Sequence, residues 1–161
     1  ATVSQLKKEL SYRSPEELLE LCLRLSKFKK ENKELLTYLL FESIDEEAFV
    51  DSVKAETDIE FEKINVSNFF YIKKSLRKIL RNLKKYIRYS SRKETEVELL
   101  IYYCFKLKDF KPSIARNPPM ANLYVRQVNT LKNIASGLHE DLQYDYEEQI
   151  LELEEFQKKL R

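Results

Sequence analysis

The chain has 161 residues, a hydrophobic fraction of 43%, one Gly and four Pro. Turns depend on Gly and Pro and all-β folds need many turns, so this composition argues against an all-β fold and favours helices. A net charge of +2 gives no sign of a protein that binds polyanions over its whole surface. Disorder is not expected either, because apolar residues recur with helical spacing almost from end to end.

Three short helices are predicted in the first 45 residues. The first is Val3–Leu10. The second begins with Ser14 as N-cap, Pro15 at the first helical position and Glu17 completing a capping box. Its predicted core face consists of Leu18, Leu21, Cys22 and Leu25. A polar break leads into a third helix over residues 33–42, so we expect the second and third helices to form a hairpin.

The next two predicted helices differ in charge. The first runs from Glu46 to about residue 63, is capped by Asp45 and lies in an acidic segment, residues 42–62. Residues 63–93 then hold eleven Lys and Arg and no acid. Apolar residues recur among them at helical spacing: Phe69, Ile72, Leu76, Ile79, Leu80, Leu83 and Ile87. They predict one long helix with an apolar stripe on one face and cations on the opposite face. The helix is expected to be capped by Asn65 or Ser67 and to end near Ser90.

Two further helical regions complete the chain. Residues 94–110 are hydrophobic nearly all round, which is typical of the most buried helix of a bundle, and we expect them to pack against the apolar stripe. After a loop at 111–119, with Asn117 as N-cap, one apolar phase persists from Met120 to Leu160. This phase predicts a single long helix, with a clean break at Ser136-Gly137 as the alternative.

Together these elements predict an all-α single domain over residues 1–161. The expected architecture is a helical bundle or short α-solenoid of six to eight helices with a long C-terminal helix. The solenoid alternative rests on an internal sequence similarity: the residues around Cys22 resemble those around Cys104, 82 residues later. This similarity suggests half-repeats over 11–91 and 92–161. Both cysteines lie in apolar helices without a paired motif, so they are expected to be buried free thiols in a reducing compartment.

Three segments near the N-terminus carry a resemblance to a known family. They are Leu6-Lys7-Lys8-Glu9-Leu10, the stretch from Ser14 through Leu18 to Cys22, and Asn32-Lys33-Glu34-Leu35-Leu36. Over roughly the first 45 residues the chain resembles an uncharacterised family of small helical bacterial proteins. The resemblance implies a helical fold and a bacterial cytoplasmic setting, and it implies no activity.

The sequence predicts no catalytic, cofactor-binding or metal site. His139 is the only histidine and is expected to face solvent, and a chain with one glycine cannot form a Gly-rich phosphate loop. Five acids line one side of the last helical region: Asp141, Asp145, Glu148, Glu152 and Glu155. An acidic face that is solvated, or that is paired with the basic helix, is favoured there over a divalent cation site. We therefore expect no cofactor and no enzymatic activity.

The basic helix supplies the candidate interaction surface. Its members are Lys73, Lys74, Arg77, Lys78, Arg81, Lys84, Lys85 and Arg88, with Tyr71 and Tyr89 at the margin. Three interpretations stay open. Acidic residues of segments 42–62 or 140–155, from this chain or a partner, neutralise the cations; the face is simply solvated; or it binds a nucleic acid or another polyanion.

The favoured function is a non-enzymatic helical protein-interaction or scaffold module, whose partner is another protein or a second copy. The alternative is nucleic-acid binding through the basic helix. No N-terminal signal is evident, and no apolar run reaches the roughly 18 residues that a membrane span needs, so no membrane partner and a cytoplasmic location are expected.

Overall fold

The computed structural model describes residues 1–160 as a series of helices with short connections. These residues contain no strand, which confirms the predicted all-α, bundle-like fold. The helices fall into two compact units, an N-terminal unit, Ala1–Ile44, and a C-terminal unit that begins at Asp45. Over the described range, no helix has both the length and the apolar character needed to cross a membrane.

The N-terminal unit consists of α1 (Val3–Leu10), α2 (Pro15–Phe28) and α3 (Lys30–Thr37), followed by one π-helical turn (Tyr38–Glu42). The predicted capping box at the start of α2 is present: the Ser14 hydroxyl accepts from the Glu17 backbone N–H at 3.2 Å, and the Glu17 carboxylate accepts from the Ser14 N–H. Helices α2 and α3 pack together as the expected hairpin.

The predicted core face of α2 is wrong. Leu18, Leu21 and Leu25 are 36%, 41% and 61% exposed, and Cys22 is exposed as well. Tyr38 is the one buried side chain of the N-terminal unit. Apolar residues cover more than half of the circumference of α2, which is a wider face than the one packed helix α3 can cover.

The C-terminal unit holds the hydrophobic core. It consists of α4 (Glu46–Glu62), α5 (Phe69–Ser90), α6 (Lys93–Lys108), a 3₁₀ turn (Ile114–Arg116), α7 (Pro118–Ala135) and α8 (Glu140–Lys159). Helix α6 packs against α4, α5, α7 and α8. Six of its side chains are at most 1% exposed: Val97, Leu99, Leu100, Tyr103, Cys104 and Leu107. The prediction that this segment is the most buried helix is confirmed.

The prediction of a single long C-terminal helix is wrong, and the alternative of a clean break is correct. Helix α7 ends at Ala135, and α8 begins at Glu140 with the exposed His139 as its N-cap. An unbroken helix of about 40 residues would extend about 60 Å and could not fold back on itself. With the break, α7 packs against α8, and the hydroxyl of the buried Tyr124 donates to the Leu153 carbonyl at 2.7 Å.

Candidate functional site

Helix α5 begins later than the sequence predicted. Its N-cap is Asn68, whose side-chain oxygen accepts from the Tyr71 N–H at 3.1 Å, and neither Asn65 nor Ser67 caps it. Asn65 instead accepts from the Ser67 N–H at 3.0 Å, which forms a turn just before the helix. The helix ends at Ser90, as expected, and Ser91 follows in the left-handed conformation with φ 57°.

The apolar stripe determines which face of α5 points outward. Six of the seven predicted stripe residues are buried, namely Ile72, Leu76, Ile79, Leu80, Leu83 and Ile87. The stripe lies against α4 and α6, as predicted for α6, and the buried Tyr103 hydroxyl of α6 donates to the Leu76 carbonyl at 2.7 Å. Because the apolar face packs against α4 and α6, the cations of the helix lie on the opposite face.

Seven of the eight predicted cations form what we call the cationic ridge. Its members are Lys73, Lys74, Arg77, Lys78, Arg81, Lys84 and Arg88, of which Lys73 is partly exposed and the others are exposed. No residue that the structure describes forms an ion pair with any of them. The eighth cation, Lys85, is partly buried and places its ammonium group 4.7 Å from the centre of the Tyr86 ring.

The acidic segments of the chain make their ion pairs elsewhere. In α4, Asp58 pairs with Lys106 at 2.7 Å, and Glu46 pairs with Arg92, beyond the ridge, at 3.2 Å. Helix α8 packs against α6 and α7, where two further pairs form: Glu152 with Lys108 at 3.4 Å and Glu154 with Lys132 at 3.3 Å. Over residues 1–160, acids of the same chain therefore form no ion pair with the seven cations of the ridge, and the interpretation that they neutralise these seven is wrong.

The two tyrosines predicted at the margin of this surface differ in exposure. Tyr71 is 45% exposed, as expected, but Tyr89 is only 9% exposed. The Tyr89 ring packs edge-on against Tyr86, with 5.9 Å between the ring centres. Tyr89 is thus part of the packing of this region, and its assignment to the interaction surface was wrong.

An aromatic residue that sequence reasoning missed lies among the cations. Phe70 is 64% exposed and contacts Tyr71 edge-on, with ring centres 5.5 Å apart. A groove of ≈ 350 Å³ is lined by Phe70, Lys73, Lys74, Arg77 and Arg81. At 100° per residue, Phe70 falls about 120° from Leu76, between Arg77 and Arg81, so the wheel places it on the cationic face. That position on the wheel is the sequence signal for an exposed aromatic residue among the cations.

A second polar cluster ties α4 to α6. The Tyr102 hydroxyl and the Lys106 ammonium group both donate to the Asp58 carboxylate. Desolvation, followed by the hydrogen bond to Asp58, raises the pKa of Tyr102 to about 12. Burial acts to raise the pKa of Asp58, but the bonds from Lys106 and Tyr102 outweigh it and hold that pKa below its usual value. The Asp58 carboxylate already accepts from Tyr102 and Lys106, so we interpret the cluster as a polar contact that holds α4 against α6.

The remaining reactive side chains do not converge. Cys104 is fully buried, and burial raises the pKa of its thiol far above the usual value, so it is held as an unreactive thiol. His139 uses Nδ1 to accept from the Asp141 N–H at 3.2 Å. Within residues 1–160, no three His, Cys, Asp or Glu side chains are placed to hold one metal ion. Comparisons with protein-family models, curated proteins and solved structures gave no match.

Proposed function

We propose that this chain is a non-enzymatic helical interaction module whose helix α5 binds single-stranded nucleic acid. The observation that carries the proposal is the cationic ridge, in which seven cations share one face of a helix with no ion pair to the described residues. Like charges three and four residues apart on a helix repel each other. A bound phosphate backbone relieves that repulsion and releases its own counterions.

The length of the ridge suits a short run of phosphates. Lys73 and Arg88 are fifteen residues apart, so the ridge extends about 22 Å along the helix. In a stacked strand the phosphates advance about 3.4 Å per nucleotide along the helix axis, so about six of them match this length. Six contacts predict that the logarithm of the binding constant falls with the logarithm of salt concentration with a slope of about −4.

Phe70 favours a single strand over other polyanions. Proteins that bind single strands combine a positively charged groove with aromatic rings on which the bases stack. The exposed Phe70 ring lines the same groove as Lys73, Lys74, Arg77 and Arg81. An acidic protein or a sulfated sugar uses the cations of such a groove but has no base to stack on the ring.

The experiment measures fluorescence anisotropy of a dye-labelled 20-nucleotide poly-dT strand with the full chain between 50 and 200 mM salt. We expect affinity to fall about 300-fold over this range, as six phosphate contacts imply. In the variant R77E/R81E, the slope should decrease in size by about 1.4 for two lost contacts, and the binding at 50 mM salt should be weaker. A salt-independent affinity, or no binding at 50 mM salt, contradicts the proposal.

A matched control has the same change in net charge at another place. Arg116 and Arg126 are exposed, form no ion pair with the described residues and lie outside α5. The variant R116E/R126E should therefore bind poly-dT nearly as the parent chain does. An equal loss in both variants would show that only overall charge matters and would remove α5 from the proposal.

Phe70→Ala separates nucleic acid from the other polyanions. Loss of one stacked base costs about 1–3 kcal/mol, so the affinity for poly-dT should fall at least about fivefold. Binding to heparin and to poly-glutamate, which contain no bases, should not change. Equal effects of Phe70→Ala on all three probes, or tighter binding of poly-glutamate than of poly-dT, would assign the ridge to an acidic partner instead.

A further inference from the structure

The N-terminal unit exposes far more apolar surface than the larger C-terminal unit. Fourteen large hydrophobic side chains of residues 1–44 are exposed, against six in the rest of the described chain. Soluble monomers rarely expose large contiguous apolar patches, and such patches mark interaction sites. The unit has 44 residues and a single buried side chain. The apolar surface that it buries by itself is too small to offset the conformational entropy that is lost when its helices become ordered. This surface therefore calls for a covering partner.

We propose that the covering partner is a second copy of this chain, and that the two copies of α2 pack antiparallel about a twofold axis. A stable dimer buries about 800 Å² per partner. Tyr12, Phe28 and Phe41 are each at least 69% exposed. Aromatic side chains of about 150–250 Å² with that exposure present roughly 300–550 Å² between them. The eleven exposed aliphatic side chains of the unit supply the remainder.

The charges of α2 indicate the antiparallel orientation. Its first half carries Glu16, Glu17 and Glu20, and its second half carries Arg24 and Lys27. In an antiparallel pair about a twofold axis, the acidic half of each copy faces the basic half of the other. A parallel pair would place like charges together, which is unfavourable. Two copies of α2 therefore place opposite charges next to each other only when they run antiparallel.

The face of α2 that α3 leaves open fits this arrangement. A groove between the two helices is lined by Cys22, Leu25 and Ser26 of α2, so α3 lies on that side. Leu19 and Leu23 lie next to it and are 62% and 46% exposed. On the helical wheel they are followed by Glu16 and Lys27, both exposed. Pairing through Leu19 and Leu23, about an axis midway between Glu16 and Lys27, brings each Glu16 next to the Lys27 of the other copy.

The first test measures the mass of the full chain by analytical ultracentrifugation from 1 to 100 µM. We expect a concentration-dependent dimer. The variant L19E/L23E places four charges in the contact and should weaken the dimer at least about 100-fold. Both positions are exposed, so the helical circular dichroism of the variant should not change. A chain that stays monomeric at 100 µM, or a dimer that L19E/L23E leaves intact, overturns the proposal.

The second test uses charge exchange and does not depend on the apolar variants. E16K alone or K27E alone places like charges together twice in each dimer and should weaken it about tenfold. The double variant E16K/K27E restores opposite charges in an antiparallel pair, so its affinity should return to within about threefold of the parent value. The unfolding midpoint of each variant checks that helix stability is not the cause. A double variant as weak as the singles contradicts the antiparallel pairing.

Discussion

Arg81 lies in the middle of the cationic ridge, and replacing it by Glu is expected to stabilise the C-terminal unit. Four cations of α5 are three or four residues away from it: Arg77, Lys78, Lys84 and Lys85. Each like-charge pair at this spacing destabilises a helix by about 0.2–0.5 kcal/mol, and each opposite pair stabilises it by a similar amount. The substitution converts four repulsive pairs into four attractive ones. The free energy of unfolding should therefore rise by about 1.5–4 kcal/mol at low ionic strength.

The assay is urea unfolding followed by circular dichroism at 10 mM and at 1 M salt. Exposed charges are screened at 1 M salt, where the Debye length is about 3 Å, so most of the gain should disappear there. Arg126→Glu is the control, because the residues three and four positions away, Asn122, Leu123, Asn129 and Thr130, are all uncharged. The control should change stability by less than about 0.5 kcal/mol.

Two results would refute the reasoning about the ridge. If Arg81→Glu destabilises the protein at low salt, Arg81 has a favourable partner in solution. If the gain is the same at both salt concentrations, its origin is not electrostatic. The expected outcome is a variant that is more stable and binds poly-dT less well, which is the usual exchange between stability and function at a binding site.

Two further predictions concern the packing of α6. Tyr103→Phe removes the bond from a fully buried hydroxyl to the Leu76 carbonyl and should lower the free energy of unfolding by about 1 kcal/mol in urea, whereas Tyr144→Phe, at a 77% exposed position, should have no effect. Lys106 and a tyrosine hydroxyl hold the pKa of Asp58 in the folded protein below its usual 3.8. The ionised carboxylate therefore stabilises the folded protein fully above about pH 4. This stabilisation is lost as the pH falls through the lower pKa that Asp58 has in the folded protein. Asp58→Asn should therefore lower the free energy of unfolding by about 1 kcal/mol at pH 6 and by nearly nothing at pH 2. The effect at pH 6 is modest because the Asp58 side chain is over one-third exposed. Urea unfolding at the two pH values measures both effects.

The sequence was sufficient for most features that depend on neighbouring residues in the chain, although the N-cap of α5 is Asn68 and neither of the two predicted residues. The N-caps Ser14, Asp45 and Asn117 were predicted from residue type and spacing, because a cap is made within one helical turn. The central place of α6 was also predictable, because a helix that is apolar all round can only be satisfied by neighbours on every side.

The sequence was insufficient where the outcome depends on other elements. Helix α2 has a broad apolar face, yet much of it stays exposed, because a single neighbouring helix covers only one side of it. The continuous apolar phase from Met120 to Leu160 is equally compatible with one helix or two, and only the packing of α7 on α8 distinguishes them. The family resemblance of the first 45 residues stays a prediction.

The near balance of 29 basic and 27 acidic residues conceals how unevenly the ion pairs are distributed. Acids that are abundant enough to neutralise α5 are present in α4 and α8, but over the described residues none of them forms an ion pair with the seven cations of the ridge. Seven cations on one helix face, without an ion pair to the described residues, are the reason for proposing that this face binds a partner, and the Arg81 variant tests the expected cost in stability. The exposed apolar surface belongs to the other unit and requires a partner of different chemistry.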